Sequence, residues 1–178
     1  MSITFILLAQ PPQLYYAINM EKQKVCLETT VFNYYFDKTK NAQPGTVAFF
    51  EAIDSGQFEA YTSIYTYNEL NDAPEPLRSD MLGLIGKYHI QVLETSDEVI
   101  ELAGKYIANN IIPKKKTTDA LHIAIASVYA MDIIITFNFK HINKLKTKSL
   151  IPATNLIAGY KGIAIAQPEE VFDFEMDD

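Results

Sequence analysis

The segment TTDALHIAIASVYAMDIIITFN, from Thr117 to Asn138, constrains the fold of this chain more than any other. Its first part is long enough for a helix and is apolar around nearly its whole circumference, which indicates a helix buried on most sides. The run DIIITF that follows is rich in β-branched residues, as is typical of a central parallel strand. A buried helix leading into such a strand predicts a layered α/β domain.

Strand and helix patterns alternate along most of the remaining chain. We predict strands at KVCLE, FEAYTSIY, HIQVLE, DIIITF and KGIAIA, with helices between the first four. Several helices have recognisable ends, with Thr29 or Thr30 as one cap, Ser96 as another, and Pro44 and Gly56 at the two ends of a third helix. This alternation predicts right-handed crossovers and a parallel sheet with helices on both faces.

The length of 178 residues and an apolar content of 48% fit one domain with a substantial core. Because Cys26 is the single cysteine, an intramolecular disulfide and a cysteine-built zinc site are excluded, and a reduced, cytoplasmic setting is expected. The segment ITFILLA is too short to span a bilayer, so no membrane association is expected. We interpret residues 1–23 as a non-native or disordered extension, 24–172 as the domain and 173–178 as an acidic tail.

The net charge of -7 argues against a protein that coats nucleic acid through bulk electrostatics. The basic residues are nevertheless clustered, at Lys114–Lys116 and again between Lys140 and Lys148, with His141 in the second cluster. Such clusters are usually solvated surface, but they could also contact phosphates beside a site. The sequence alone leaves both interpretations open.

Polar residues stand at the ends of four predicted elements. Glu28 ends the first strand, and Glu69 lies in the helix after the second strand. Asp119 lies in the first turn of the apolar helix, and Asn138 follows the late strand. Because sites in parallel sheets form at the carboxyl ends of the strands, the fold could bring these residues together. Each also has an ordinary structural explanation, as a cap, a solvated helix residue or a turn former.

Several carboxylates at one strand edge suit a hard divalent cation, since Mg²⁺ and Mn²⁺ prefer oxygen ligands and adjacent carboxylates repel each other without a cation. Such an ion can polarise a phosphodiester and activate water. The candidate RNA contacts beside it are Lys115, Lys140 and His141. His122 lies one helical turn from Asp119. We interpret it as a hydrogen-bonded core histidine rather than a ligand, because no second histidine stands at metal-ligand spacing.

Four segments in order resemble the PIN-domain family, and within it the VapC-like toxin ribonucleases. They are VCLETTVFNYYFD, YTYNEL, TTDALHIAIASVYAMDIIITFNFKHI and NLIAGYKGIAIAQPEEVF, and together they extend over roughly residues 24–172. The resemblance implies a three-layer α/β/α fold with a central, mostly parallel sheet. It also implies a divalent-metal-dependent endoribonuclease that acts on RNA and is often paired with a small antitoxin. The aromatic run FNYYF could serve an antitoxin or a homodimer interface, although core packing is its commoner use.

The resemblance also implies an acidic site and two supporting hydroxyl residues. The matching acidic positions are Glu28, Glu69, Asp119 and, in fourth place, Asn138; the supporting positions are Thr30 and Thr136. Two of these residues depart from the family, which usually has aspartate at position 28 and an acid at position 138. An amide brings no charge. We therefore expect one bound Mg²⁺ or Mn²⁺ with a transient second ion.

Two alternatives to a ribonuclease remain open at this stage. The departures at Glu28 and Asn138 leave room for a catalytically degenerate PIN-like domain that binds RNA or protein without cleaving it. A phospho-acceptor signalling domain would need an acidic pair after the first strand, where this chain has Glu28 followed by Thr29.

Overall fold

The computed structural model describes residues 22–172. Its first strand begins at Gln23, one residue before the predicted start of the domain. The predicted extension as far as residue 21 and the predicted acidic tail, 173–178, lie outside the described residues.

The described residues form one five-stranded sheet in which all neighbouring strands are parallel, in the order β3-β2-β1-β4-β5. The strands are β1 (Gln23–Leu27), β2 (Phe58–Ser63), β3 (Gln91–Leu93), β4 (Ile133–Ile135) and β5 (Ala164–Ala166). The chain winds outward from β1 to β3, then crosses to the other side of β1 to form β4 and β5. The direction of winding therefore changes between β1 and β4, which is where doubly wound sheets form their sites.

Helices cover both faces of the sheet, which confirms the predicted three-layer α/β/α fold. They are α1 (Thr29–Phe36), α2 (Gln43–Asp54), α3 (Ile64–Asn71), α4 (Leu77–Lys87), α5 (Asp97–Ala108), α6 (Thr117–Val128), α7 (Leu145–Ile157) and α8 (Pro168–Phe172). Within residues 22–172, no helix is both long and apolar enough to cross a membrane.

The structure corrects two local predictions and adds one helix that was not predicted. The N-cap of α1 is Glu28, whose side chain accepts a hydrogen bond from the Thr30 N–H, rather than Thr29 or Thr30. The second strand ends at Ser63, whose hydroxyl caps α3, so the predicted strand was too long. The added helix is α7, which contains Pro152, although proline usually ends a helix.

Alternate residues of the central strands enter two separate cores. Val25 and Leu27 of β1 pack with the aromatic residues of α1 and α2 on one face, whereas Cys26 and Ile134 face α5 and α6 on the other. This alternation follows from the two-residue period of a strand. Burial, followed by the charge of Glu28, raises the pKa of the Cys26 thiol to about 12, so this cysteine is unreactive at neutral pH.

Both regions of notable apolar sequence are core elements. In α6, the residues Ala120 and Ile123 to Ala126 are buried, as the all-round apolar pattern predicted. In the FNYYF run, Phe32 is fully buried, and Tyr34 to Phe36 are partly buried against the same core. The aromatic residues of this run therefore pack mainly within the domain.

Candidate active site

The predicted site residues lie at the carboxyl end of the sheet, in the crevice between β1 and β4. Glu28 directly follows β1, and its backbone N–H donates a hydrogen bond to the carbonyl oxygen of Ile135 at 3.0 Å. Thr136 follows Ile135 at the end of β4. The parallel pairing of β1 with β4 thus brings residues 108 positions apart in the chain into contact.

Glu28 is only 5% exposed, and three hydrogen bonds converge on one of its carboxylate oxygens, Oε2. The donors are the Thr30 N–H at 3.1 Å, the Thr30 hydroxyl at 2.5 Å and the Thr136 hydroxyl at 2.9 Å. A buried carboxylate needs such donors, because an unpaired charge in the interior is very costly. The two predicted supporting threonines therefore both bond to Glu28.

The same two hydroxyls also hold the loop that follows β4. The Thr30 hydroxyl accepts a hydrogen bond from the Phe137 N–H at 2.8 Å, and the Thr136 hydroxyl accepts one from the Asn138 N–H at 3.0 Å. Each threonine therefore links Glu28 to the backbone of this loop. This arrangement fixes the direction in which Asn138 leaves the sheet.

Glu69 reaches the site from α3. Its Oε2 accepts a hydrogen bond from the Thr29 hydroxyl and lies 3.5 Å from Nε2 of His122. Burial raises the pKa of Glu69, but the interaction with His122 and the bond from Thr29 outweigh it, so its pKa lies below the usual value. Glu69 is accordingly ionised at neutral pH.

His122 is a buried histidine, 2% exposed, whose ring is held on both sides. Its Nδ1 lies 3.1 Å from the Ser63 hydroxyl and 3.4 Å from the Thr66 hydroxyl. Burial lowers the pKa of His122, but contact with Glu69 and the negative charges of Glu28, Glu69 and Asp119 raise it more, leaving it above the usual value. The predicted hydrogen-bonded core histidine is therefore present, and it lies within the field of all three acids.

Asp119 occupies the first turn of α6, where the helix dipole favours a negative charge. Its Oδ1 accepts a hydrogen bond from Nδ2 of Asn138 at 3.1 Å. Its Oδ2 is buried and accepts no hydrogen bond from the described residues. A carboxylate oxygen that is buried without a donor is uncommon and points to a partner outside the chain.

Asn138 was predicted as a fourth oxygen ligand, and that role stays a prediction. In the structure, Nδ2 donates to Asp119, while Oδ1 accepts the backbone N–H of His141 at 3.2 Å. In this arrangement Asn138 orients Asp119, and one lone pair of its oxygen is already engaged. The charge that an acid would bring at this position is replaced by a hydrogen-bond donor.

The donor set of this crevice suits a divalent cation. One oxygen of Glu28, one of Glu69 and one ring nitrogen of His122 lie within 4.8 Å of one another. The unpartnered Oδ2 of Asp119 adds a further anionic oxygen to the same network through Asn138, Thr136 and Glu28. Hard cations such as Mg²⁺ and Mn²⁺ bind sites rich in carboxylate oxygens.

A basic depression of about 160 Å³ is linked to this acidic site by the hydrogen bond between His141 and Asn138. Lys140, His141, Lys144 and Lys146 are among its lining residues, and the His141 backbone is bonded to Asn138. Lys115 is exposed in a short 3₁₀ turn immediately before α6, the helix that bears Asp119. The first lysine cluster therefore lies close to Asp119 along the chain. The second cluster is linked to Asn138 by one hydrogen bond, from the His141 N–H.

Comparison with known proteins gives the family. The sequence matches the family model described as PIN domain over residues 25–146, which is more than half of the chain. The chain belongs to the PIN domain family. All four of its predicted acidic-site positions, from Glu28 to Asn138, fall inside the matched region. A search of the curated proteins finds no match.

Two solved structures resemble this PIN domain at low sequence identity. VapBC2 from Rickettsia felis, bound to a DNA fragment from its promoter, has a TM-score of 0.50 at 10% identity, covering 70% of this chain and 95% of that one. VapC20 from Mycobacterium tuberculosis, a toxin that cleaves the sarcin-ricin loop, has a TM-score of 0.49 at 10% identity, covering 79% of this chain and 98% of that one. At such identity the likeness concerns the fold alone.

Three polar residues contact the candidate site although the sequence did not predict a role for them there. Thr29 was considered only as a helix cap, yet its hydroxyl binds Glu69. Ser63 and Thr66 were placed in a strand and a helix without a role, yet both face His122. For Ser63 and Thr66, the available signal was their position at the carboxyl end of β2, the edge at which Glu28 also lies.

Proposed function

We propose that this protein is a divalent-metal-dependent endoribonuclease that hydrolyses RNA phosphodiester bonds at the crevice between β1 and β4. Membership of the PIN domain family supports the nuclease class. The observation that carries the proposal is the buried Oδ2 of Asp119, which has no hydrogen-bond donor among the described residues. Asp119 belongs to the same hydrogen-bond network as Glu28, and its charge acts on His122 together with those of Glu28 and Glu69. A purely structural cluster of three acids would be expected to have every buried oxygen paired.

We propose Mg²⁺ or Mn²⁺ as the ion, held by Glu28, Glu69 and Asp119. When bound, such an ion lowers the pKa of a water molecule and stabilises charge on phosphate oxygens. The remaining polar residues fix the ligands, since Thr30 and Thr136 hold Glu28 and Asn138 holds Asp119. Fixed ligands matter because small displacements at a reactive centre greatly reduce rate.

The substrate contacts that we propose lie on the basic side of the crevice. Lys115, Lys140 and His141 would bind phosphates of the RNA, and local positive charge can do this in a protein of negative net charge. Phe139, which is 51% exposed beside Asn138, offers a ring on which an unpaired base could stack. Together these residues favour a single-stranded or looped RNA, whose bases are accessible to protein side chains.

Asp119→Asn is the most direct test, because asparagine keeps the volume and can still accept the bond from Asn138. We expect Mn²⁺ binding, measured by calorimetry, and metal-dependent cleavage of a structured RNA to fall together, with cleavage reduced by about 100-fold or more. The matched control is Asp80→Asn, which removes an exposed aspartate from the first turn of α4 and should change neither quantity.

The outcomes separate the proposal from its alternative. Cleavage that persists at the wild-type rate in Asp119→Asn would refute the assignment of the site. Binding of RNA by wild-type protein, with no metal-stimulated cleavage, would instead identify a catalytically degenerate binding module.

A small antitoxin is the protein partner that we propose, by analogy with the VapC group that the sequence resembles, and a homodimer is a second one. Co-purification from the native cell, followed by light scattering, tests both partners. We propose a cytosolic location because the single cysteine, Cys26, is a free thiol.

A further inference from the structure

His122 stands in the proposed metal site in a position that its role as a core residue does not explain. Its Nε2 and the Glu69 Oε2 face each other at 3.5 Å, and both atoms belong to a set within 4.8 Å that also includes Glu28. The ring is 2% exposed, so water cannot freely solvate this edge. What lies between these two atoms depends on which ring nitrogen carries the proton.

The hydroxyls around Nδ1 provide the partner that a metal-binding histidine needs. The Ser63 hydroxyl accepts the Thr66 N–H at 3.0 Å and lies 3.1 Å from His122 Nδ1. When this hydroxyl donates to the Thr66 hydroxyl, 3.2 Å away, it can accept a hydrogen bond from Nδ1–H. In that tautomer of the neutral ring, Nε2 presents a lone pair toward Glu69.

A lone pair on Nε2 and the carboxylate oxygen of Glu69 repel each other unless a cation lies between them. A metal ion bound to both atoms meets this need. Adjacent ligands of one octahedral ion, at about 2.1 Å from it, lie about 3 Å apart. The observed 3.5 Å is close to this spacing. A ligating histidine also usually donates its other N–H to an oxygen, and the Ser63 hydroxyl lies within reach of Nδ1 for this purpose.

We propose that His122 binds the metal ion directly through Nε2, together with Glu28 and Glu69, so that this site is a mixed carboxylate–imidazole centre. The inference rests on the proposed metal site and adds a ligand to it. It modifies the interpretation of His122 from sequence, which found no second histidine at ligand spacing. The partners instead come from β1 and α3, and spacing along one helix cannot reveal them.

The ligand chemistry predicts which ions the site prefers. Imidazole nitrogen binds later transition metals better than it binds Mg²⁺, and affinity rises from Mn²⁺ to Co²⁺ and Ni²⁺ at such sites. We therefore expect binding in the order Mg²⁺, Mn²⁺, Co²⁺, Ni²⁺, with Ni²⁺ tightest. An all-oxygen site would distinguish these ions less strongly.

Pulsed electron paramagnetic resonance of the Mn²⁺-loaded wild-type protein tests the inference without any substitution. We expect nitrogen coupling to the Mn²⁺ electron spin, and a change in its frequency when the protein is produced with ¹⁵N-labelled histidine. The chain has three histidines, so the ligand is assigned with single variants. His122→Gln should abolish the coupling, whereas His141→Gln and His89→Gln should retain it.

Calorimetry on the same variants gives a second readout. His122→Gln should weaken Ni²⁺ binding by at least about 10-fold. Loss of a residue that only supports a metal ligand already costs about 10-fold or more, and loss of the ligand itself should cost at least as much. It should weaken Mg²⁺ binding much less. His89→Gln is the matched control, because His89 is exposed and lies after α4. It should leave both affinities unchanged.

The possible results distinguish this inference from the proposed function. Mn²⁺ that binds in an Asp119-dependent manner without histidine nitrogen coupling would overturn the inference and leave the metal site in place. Absence of Mn²⁺ binding to the wild-type protein would overturn both. Coupling that survives in His122→Gln would also overturn the inference, because another residue would then supply the nitrogen.

Discussion

Replacing Thr136 by valine tests whether the hydroxyls around Glu28 stabilise its charge. Valine keeps the shape of the side chain, and Thr136 is fully buried, so packing changes little. The hydroxyl makes two hydrogen bonds, donating to Glu28 at 2.9 Å and accepting from the Asn138 N–H at 3.0 Å. The substitution removes both bonds at once.

The magnitude follows from these two contacts. A hydrogen bond to a charged group contributes about 1.5–3 kcal/mol, and an unsatisfied buried N–H costs about 1–3 kcal/mol. The added methyl group returns about 1 kcal/mol through burial of apolar surface. We therefore expect Thr136→Val to lower the free energy of unfolding by about 1.5–5 kcal/mol, or the melting temperature by about 3–20 °C.

The assay is urea unfolding followed by circular dichroism, with a chelator present so that bound metal does not contribute. Thr62→Val is the matched control, because Thr62 is also fully buried near the end of a strand, but its hydroxyl donates to a neutral acceptor, the Leu27 carbonyl oxygen, at 2.7 Å. It should cost about 0.5–1.5 kcal/mol. If Thr62→Val costs as much as Thr136→Val, the charge on Glu28 adds nothing and the reasoning is wrong.

Three further predictions concern other parts of the molecule. Burial raises the pKa of Asp132, but its hydrogen bond to Lys161 and the nearby positive charges lower the pKa more, so the net shift is downward. The ionised Asp132 therefore stabilises the folded protein fully above the unfolded-state pKa of about 3.9. This stabilisation is lost as the pH falls through the lower pKa of the folded state. The difference in unfolding free energy between wild type and Asp132→Asn should therefore be larger at pH 7 than at pH 3. Tyr106→Phe removes a buried hydroxyl that donates to Asn155 at 2.5 Å, and it should destabilise the protein by about 1–3 kcal/mol in chemical unfolding. Mn²⁺ at 100 times its dissociation constant should stabilise wild type by about 2.7 kcal/mol in thermal unfolding but leave Asp119→Asn unchanged, and equal stabilisation of both proteins would contradict the site.

Much of the fold could be predicted because local signals agreed with one another. Helix α5 begins after Ser96, whose hydroxyl accepts the Val99 N–H, and it has acids in its first turn, as predicted. Helix α7 could not be predicted, because its proline and its weak amphipathic pattern argue against a helix. Tertiary packing stabilises it, since Ile151 is buried in the core on the α5 and α6 side of the sheet. The capping role of Glu28 was also hidden, since two threonines beside it are better known caps.

The sequence by itself determined the sheet class and the elements that bear the candidate acids. Strand ends and helix starts are local, so Glu28 at the end of β1 and Asp119 in the first turn of α6 could be placed from neighbouring residues. Only the tertiary structure decided which groups meet, because contacts depend on strand order and on the direction of each side chain. It put Thr136 against Glu28 across 108 positions and turned the nitrogen of Asn138 toward Asp119. It also brought His122 to face Glu69, a pairing between α6 and α3 that no spacing along the chain encodes.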